Sequence, residues 1–187
     1  MSAVPEMHDR PITGEDLFRR PDAGPCELID GKIVPLTPTS HEHGRVEVNV
    51  SNALFTFVRA HRLGHVCAGE VGIYTRRNPD RVRAADVLYI SNTRHAQRTI
   101  AAGFLDVAPE LVVEILSPRD TVMDFTEKLR EYFAIGVKLV WLIDPYARRV
   151  FVYRAVTEVR ELMDTDRLSG DDVLPGFDVP IAAVFEE

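Results

Sequence analysis

Two acidic residues stand where acids are costly. Asp86 lies inside the apolar run Ala84–Ile90, and Glu114 lies inside Leu111–Leu116. An ionised carboxylate within a buried strand has to be matched by a cation, either an arginine or a metal. One such acid alone reads equally well as half of a structural ion pair. Two of them on successive apolar runs read as converging on one point, where hard oxygens attract a divalent cation such as Mg²⁺ or Mn²⁺. Lys128 is the third residue of interest, because the chain holds nineteen arginines but only three lysines, Lys32, Lys128 and Lys138. By itself Lys128 reads first as an exposed lysine paired with Asp124 one helical turn earlier, worth about 0.3–0.5 kcal/mol. Beside two carboxylates and a metal it would instead orient an attacking water and stabilise phosphorane-like charge.

Other motifs carry less. His41-Glu42-His43 has the look of metal-ligand spacing, but Arg45 stands where an HExxH motif needs its second histidine. Glycine-rich phosphate loops and GxSxG elbows are absent from the sequence. Cys26 and Cys67 form neither a disulfide framework nor a paired-cysteine zinc motif and read as two small buried thiols. His61 and His65 read as solvent-exposed, and Trp141 as core.

These residues need a scaffold, and the hydropathy pattern supplies one. Asp30-Gly31 is the dipeptide of a tight primed turn, so Cys26–Leu36 reads as a hairpin. Thr39 and Glu42 have capping-box spacing, and Val46, Val50, Ala53, Leu54, Phe57 and Val58 recur at helical spacing, predicting a helix over about His43–Leu63 closed by Gly64. Three strands should follow: Val66–Tyr74, with Gly69 and Gly72 marking a bulge or a close backbone approach, then Ala85–Ile90 and Leu111–Leu116. Thr121–Ile135 reads as a second helix stopped by Gly136, Leu139–Ile143 as a further strand, and Val150–Tyr153 with Val159–Met163 as a peripheral hairpin. The fold class is therefore α/β (α+β): a mixed central sheet with helices on both faces and an N-terminal hairpin. At 187 residues we expect a single domain over residues 15–187, preceded by a frayed stretch over 1–14. With neither a signal-peptide pattern nor a membrane-length apolar run, the expected location is the cytoplasm.

The net charge of −7 at first speaks against a polyanionic partner. It is unevenly spread. Residues 157–187 hold nine acids against two arginines, which accounts for the whole −7 and leaves residues 1–156 neutral. Between Arg76 and Arg98, six arginines face only Asp80 and Asp86, a local excess of four positive charges beside Asp86. Arg76, Arg77, Arg81 and Arg83 are thus candidate phosphate contacts.

Taken together, the string from Asp86 through Leu-Val-Val-Glu114-Ile-Leu-Ser-Pro and Asp124-Phe-Thr-Glu-Lys128-Leu-Arg-Glu-Tyr132 to Gly136, Trp141 and Asp144-Pro145 resembles the Uma-two family of restriction endonucleases, a branch of the PD-(D/E)XK phosphodiesterase superfamily. Glu27-Leu-Ile-Asp-Gly-Lys, His43-Gly44 and Leu174-Pro-Gly-Phe extend the resemblance to about residues 15–185. It implies a helix–three strands–helix–strand core, which matches the order read above. It also implies that Asp86 and Glu114 hold Mg²⁺ or Mn²⁺, with the carbonyl of Ile115 as a further ligand. Lys128 matches the catalytic lysine, displaced from its usual place two residues beyond the second acid, where Leu116 stands. Tyr132 and His43 match supporting positions, and Glu47, one turn after His43, is a candidate further metal ligand. Ala85 replaces the proline that precedes the aspartate in the superfamily motif. The implied activity is metal-dependent endonucleolytic hydrolysis of DNA by a homodimer. The rival expectation is a non-catalytic nucleic-acid-binding or interaction module that keeps the fold.

Overall fold

The computed structural model describes residues 10–100 and 102–187. Residues 1–9 of the expected frayed stretch lie outside the described residues. From Ile12 onward the chain is tied down: the Ile12 amide donates to the Gly31 carbonyl at 2.9 Å, and Thr13 caps α1 (Gly14–Phe18) in a reciprocal capping box with Asp16.

The hairpin forms as expected, from β1 (Cys26–Ile29) and β2 (Lys32–Pro35), with both Asp30 and Gly31 at positive φ as a primed turn demands. Helix α2 (His41–His61) starts two residues earlier than its periodicity indicates, because Ser40 rather than Thr39 is the cap and accepts from the His43 amide at 3.2 Å. It ends on Arg62 in the left-handed region, not on Gly64. Gly64 serves a different purpose: a Cβ there would lie 2.1 Å from the Ile90 carbonyl oxygen, so only glycine allows the two strands this approach. Those strands are β3 (Gly64–Arg76) and β4 (Arg81–Ser91), antiparallel along their whole length. They are followed by α3 (Asn92–His95), β5 (Leu111–Ile115), α4 (Val122–Ile135, capped by Thr121 and closed by Gly136), β6 (Leu139–Asp144), β7 (Arg149–Ala155) and β8 (Glu158–Leu162). A small hairpin, β9 (Arg167–Gly170) and β10 (Leu174–Pro180), and α5 (Ile181–Val184) complete the chain; β9 carries too little apolar pattern to be predicted.

The large sheet runs β2-β1-β4-β5-β6-β7-β8 with β3 also on β4. Every pairing is antiparallel except β5 with β6, which α4 joins as a crossover. Alternate residues of the central strands face opposite layers. Val113, Ile115, Trp141 and Ile143 pack with Val46, Val50, Leu54 and Val58 of α2 and with Leu174, Phe177 and Ile181 behind it. Val112, Val140 and Leu142 pack on Phe125, Leu129 and Tyr132 of α4.

One irregularity of this sheet makes the site. Since β3 occupies one full edge of β4, β1 and β5 must share the other. β1 meets it at Val82, and β5 meets it from Val87 to Tyr89. The stretch from Arg83 to Asp86 between them faces no strand. On the β3 side, Gly69 and Glu70, both at positive φ, bulge opposite Asp86, since the register jumps from Ala68↔Val87 to Val71↔Ala85. The sheet is thus forked and locally bent where its central acid sits.

Candidate active site

Side chains fill the fork. The Asp86 carboxylate accepts from the Ile115 amide at 2.7 Å and stands 3.4 Å from Nε2 of His43 on α2. Glu114 follows Val112 onto the α4 face of β5. There one of its oxygens accepts from the Tyr132 hydroxyl at 2.6 Å, and the other receives the Lys128 ammonium at 3.0 Å. Lys128 does not pair with Asp124 in the local manner. Its second partner is Glu27 of β1, at 3.2 Å. Glu27 in turn accepts from the Ala84 amide at 3.1 Å and from Arg83 at 2.9 Å, so it occupies the gap left in the ladder. Asp86 and Glu114 are 8% and 7% exposed, yet both line an open cavity of about 430 Å³ with His43, Glu70, Arg119 and Lys128.

The electrostatics follow from crowding three acids into one buried place. Burial pushes the Glu114 carboxyl up, to about 7, with Lys128 opposing the rise and the Asp86 charge adding to it. Burial alone would lower the Lys128 ammonium, but Glu114 and Glu27 outweigh it and hold the amine well above its ordinary value. It is therefore a permanent cation at neutral pH. Burial and the facing Glu114 keep the Tyr132 phenol protonated, as its donor role requires. For His43 the burial cost is outweighed by Asp86, so the imidazole is raised. Glu47 is raised by burial and by Asp86; it accepts from the Gly69 amide at 2.9 Å, which makes it a clamp on the bulge.

Asp86, Glu114, Lys128, Tyr132 and His43, five residues singled out by type and spacing, meet at this cavity or directly behind it. The four arginines do not. Arg83 is buried against Glu27 and Glu131, and Arg81 binds Asp30, Glu127 and Glu131. Arg76 pairs with Asp30, and Arg77 with Glu15 and Asp80. The local positive excess of the sequence is cancelled in space by acids from β1, α1 and α4, and none of the four lines the cavity. Arg119, on the loop after β5, does line it and is exposed. Sequence reading missed Glu27, although the signal was the same one that exposed Asp86 and Glu114: an acid between Cys26 and Leu28-Ile29 in an apolar strand.

Among the described residues, no three His, Cys, Asp or Glu side chains are grouped to enclose a metal ion. Asp86 and Glu114, facing an open cavity beside the Ile115 backbone, fit the sparser donor set of Mg²⁺, which is held by one or two carboxylates and keeps several waters.

Residues 14–182 match the family Uma2, described as "Putative restriction endonuclease". The chain belongs to the Uma2 family. Among solved structures, it is similar to a protein from Anabaena variabilis described as a putative nuclease belonging to DUF820. The two share 22% identity over 94% of this chain and 98% of that one, with a TM-score of 0.77, which establishes the common fold. No curated protein matches the chain. Among the described residues no helix is long and apolar enough to cross a membrane.

Proposed function

We propose that this Uma2 protein is a divalent-metal-dependent endonuclease that hydrolyses DNA phosphodiester bonds. The observation that carries the reading is a pair of buried carboxylates, Asp86 and Glu114, opening onto one cavity with the Lys128 ammonium bonded to one of them. A hard divalent cation held by Asp86 and Glu114 would supply Lewis acidity toward the phosphoryl oxygens and a nucleophilic water. The protein's own groups do the rest. Lys128, held charged by two carboxylates, is unsuited to accept a proton. It acts as a fixed cation beside the charge that develops on the phosphoryl group, and it orients the attacking water. Tyr132 donates to the far oxygen of Glu114 and so sets the carboxylate plane. The Ile115 amide does the same for Asp86, with His43 behind it. Arg119 is the exposed cation on the cavity wall for a flanking phosphate. Cutting both strands of a duplex calls for two such sites, so the working form in this reading is a cytoplasmic homodimer.

The test is supercoiled-plasmid cleavage with Mg²⁺ or Mn²⁺ by the purified protein beside Asp86→Ala and Glu114→Ala. Nicking or linearisation by the parent and its loss in both variants is the expected result. Equal cutting by parent and variants overturns the reading, and binding of DNA without any cleavage points to the non-catalytic module.

A further inference from the structure

Lys128 is bonded on two sides, and only one of them faces the cavity. Glu114 lines the cavity; Glu27 does not, and stands behind the ammonium in the gap between β1 and β5. Behind Glu27, Arg83 donates to it at 2.9 Å and to Glu131 at 2.8 and 2.7 Å. Glu131 lies one turn beyond Lys128 on α4, and Lys128, Glu27, Arg83 and Glu131 form a chain of alternating charge that joins β1, β4 and α4. Glu27 itself is 5% exposed and has both oxygens engaged.

The chain matters because a lysine side chain is a flexible stem ending in a point charge. With Glu114 as its sole anchor, the ammonium would be displaced whenever that carboxylate turned toward a cation, since like charges repel across a few ångströms. A second carboxylate outside the cavity removes the conflict. Resting on the proposed nuclease reading, we infer that Glu27 is a positioning residue: it retains Lys128 at the reacting phosphate while Glu114 is engaged by the metal, and Arg83 holds Glu27 for that purpose. The N-terminal hairpin is then part of the catalytic apparatus and not merely an extension of the sheet.

The experiment is a kinetic cycle on an oligonucleotide duplex in Mn²⁺, using the full-length parent, Glu27→Gln, Glu27→Asp, Lys128→Met and the double variant Glu27→Gln/Lys128→Met, with Mn²⁺ affinity measured separately by calorimetry. Glu27→Gln is expected to lower kcat by about 10–100-fold, the range for outer partners of a metal site, with KM and Mn²⁺ affinity changed by less than about twofold. Glu27→Asp restores part of the loss because the charge is kept. In the Lys128→Met background, Glu27→Gln costs nothing further, because a residue that acts only through Lys128 has nothing left to act on. Glu27→Asp in the same background tests the same point should Glu27→Gln fail to fold. Parental kcat in Glu27→Gln, or losses that multiply in the double variant, overturn the role of Glu27 while leaving the nuclease reading intact. A parent that cleaves nothing overturns both.

Discussion

Replacing Glu114 with glutamine should change how stability responds to pH more than it changes stability itself. In the folded protein this carboxyl is pushed from an ordinary 4.5 up to about 7. The folded state therefore keeps a proton that the unfolded chain releases above 4.5. The stability it contributes is fully present below pH 4.5 and is lost as pH rises through about 7. At 1.36 kcal/mol per pH unit, the whole loss is about 3 kcal/mol. In Glu114→Gln the amide oxygen can still accept from Tyr132, Lys128 keeps Glu27, and no proton is exchanged. The gap between variant and parent should thus move in the variant's favour by about 2–3 kcal/mol between pH 5 and pH 8, the rest of the loss falling below pH 5. His43 is also raised and acts in the same direction, its stabilisation being lost as pH climbs past 6.5, so the variant retains a shallower slope. Urea denaturation at pH 5, 6, 7 and 8 in the presence of a chelator would measure this. The single tryptophan, Trp141, is fully buried against Phe177 and supplies the fluorescence signal. A difference between parent and variant that stays constant across this range would refute the argument that burial and the neighbouring acid raise the Glu114 carboxyl.

Other outcomes follow from the same contacts. Lys128→Met is expected to lower kcat by about 10²–10³-fold in single-turnover cleavage, as for loss of one preorganised group at developing charge. Tyr132→Phe leaves a buried carboxylate oxygen without its donor and should cost about 1–3 kcal/mol in urea unfolding. Arg83→Met removes one cationic partner from each of Glu27 and Glu131, which keep Lys128 and Arg81 respectively, for a loss of about 1–3 kcal/mol by the same assay. Leu54→Ala, which opens a void between α2 and the sheet, should cost about 2–5 kcal/mol and leave KM unchanged.

Local chemistry was legible in the chain itself. Asp30-Gly31 forms its primed turn, the 3.6-residue periodicity of Val46, Val50, Leu54 and Val58 buries one face of α2, and Gly136 closes α4, because each depends on residues a few positions apart. The acids Asp86 and Glu114 were legible too, since a charge in an apolar strand breaks its pattern wherever the strand ends up. Helix boundaries were less so: Ser40 displaced Thr39 as the cap, and Arg62 took the left-handed position expected of Gly64. What no spacing could reveal was pairing. Glu27 reaches Lys128 across about a hundred residues, and Arg81 finds Asp30, Glu127 and Glu131 on two other elements. The run of arginines beside Asp86 looked like a basic surface because sequence counts charges along the chain. Coulomb attraction acts through space over a few ångströms, so only the folded sheet, with β1 and β5 sharing one edge of β4, decided which charges are neutralised and which remain at the cavity. Sequence alone determined that this protein carries buried acids and the elements to hold them. The fork in the sheet determined that Asp86 and Glu114 meet, that Lys128 stays charged between Glu114 and Glu27, and that the arginines serve the scaffold.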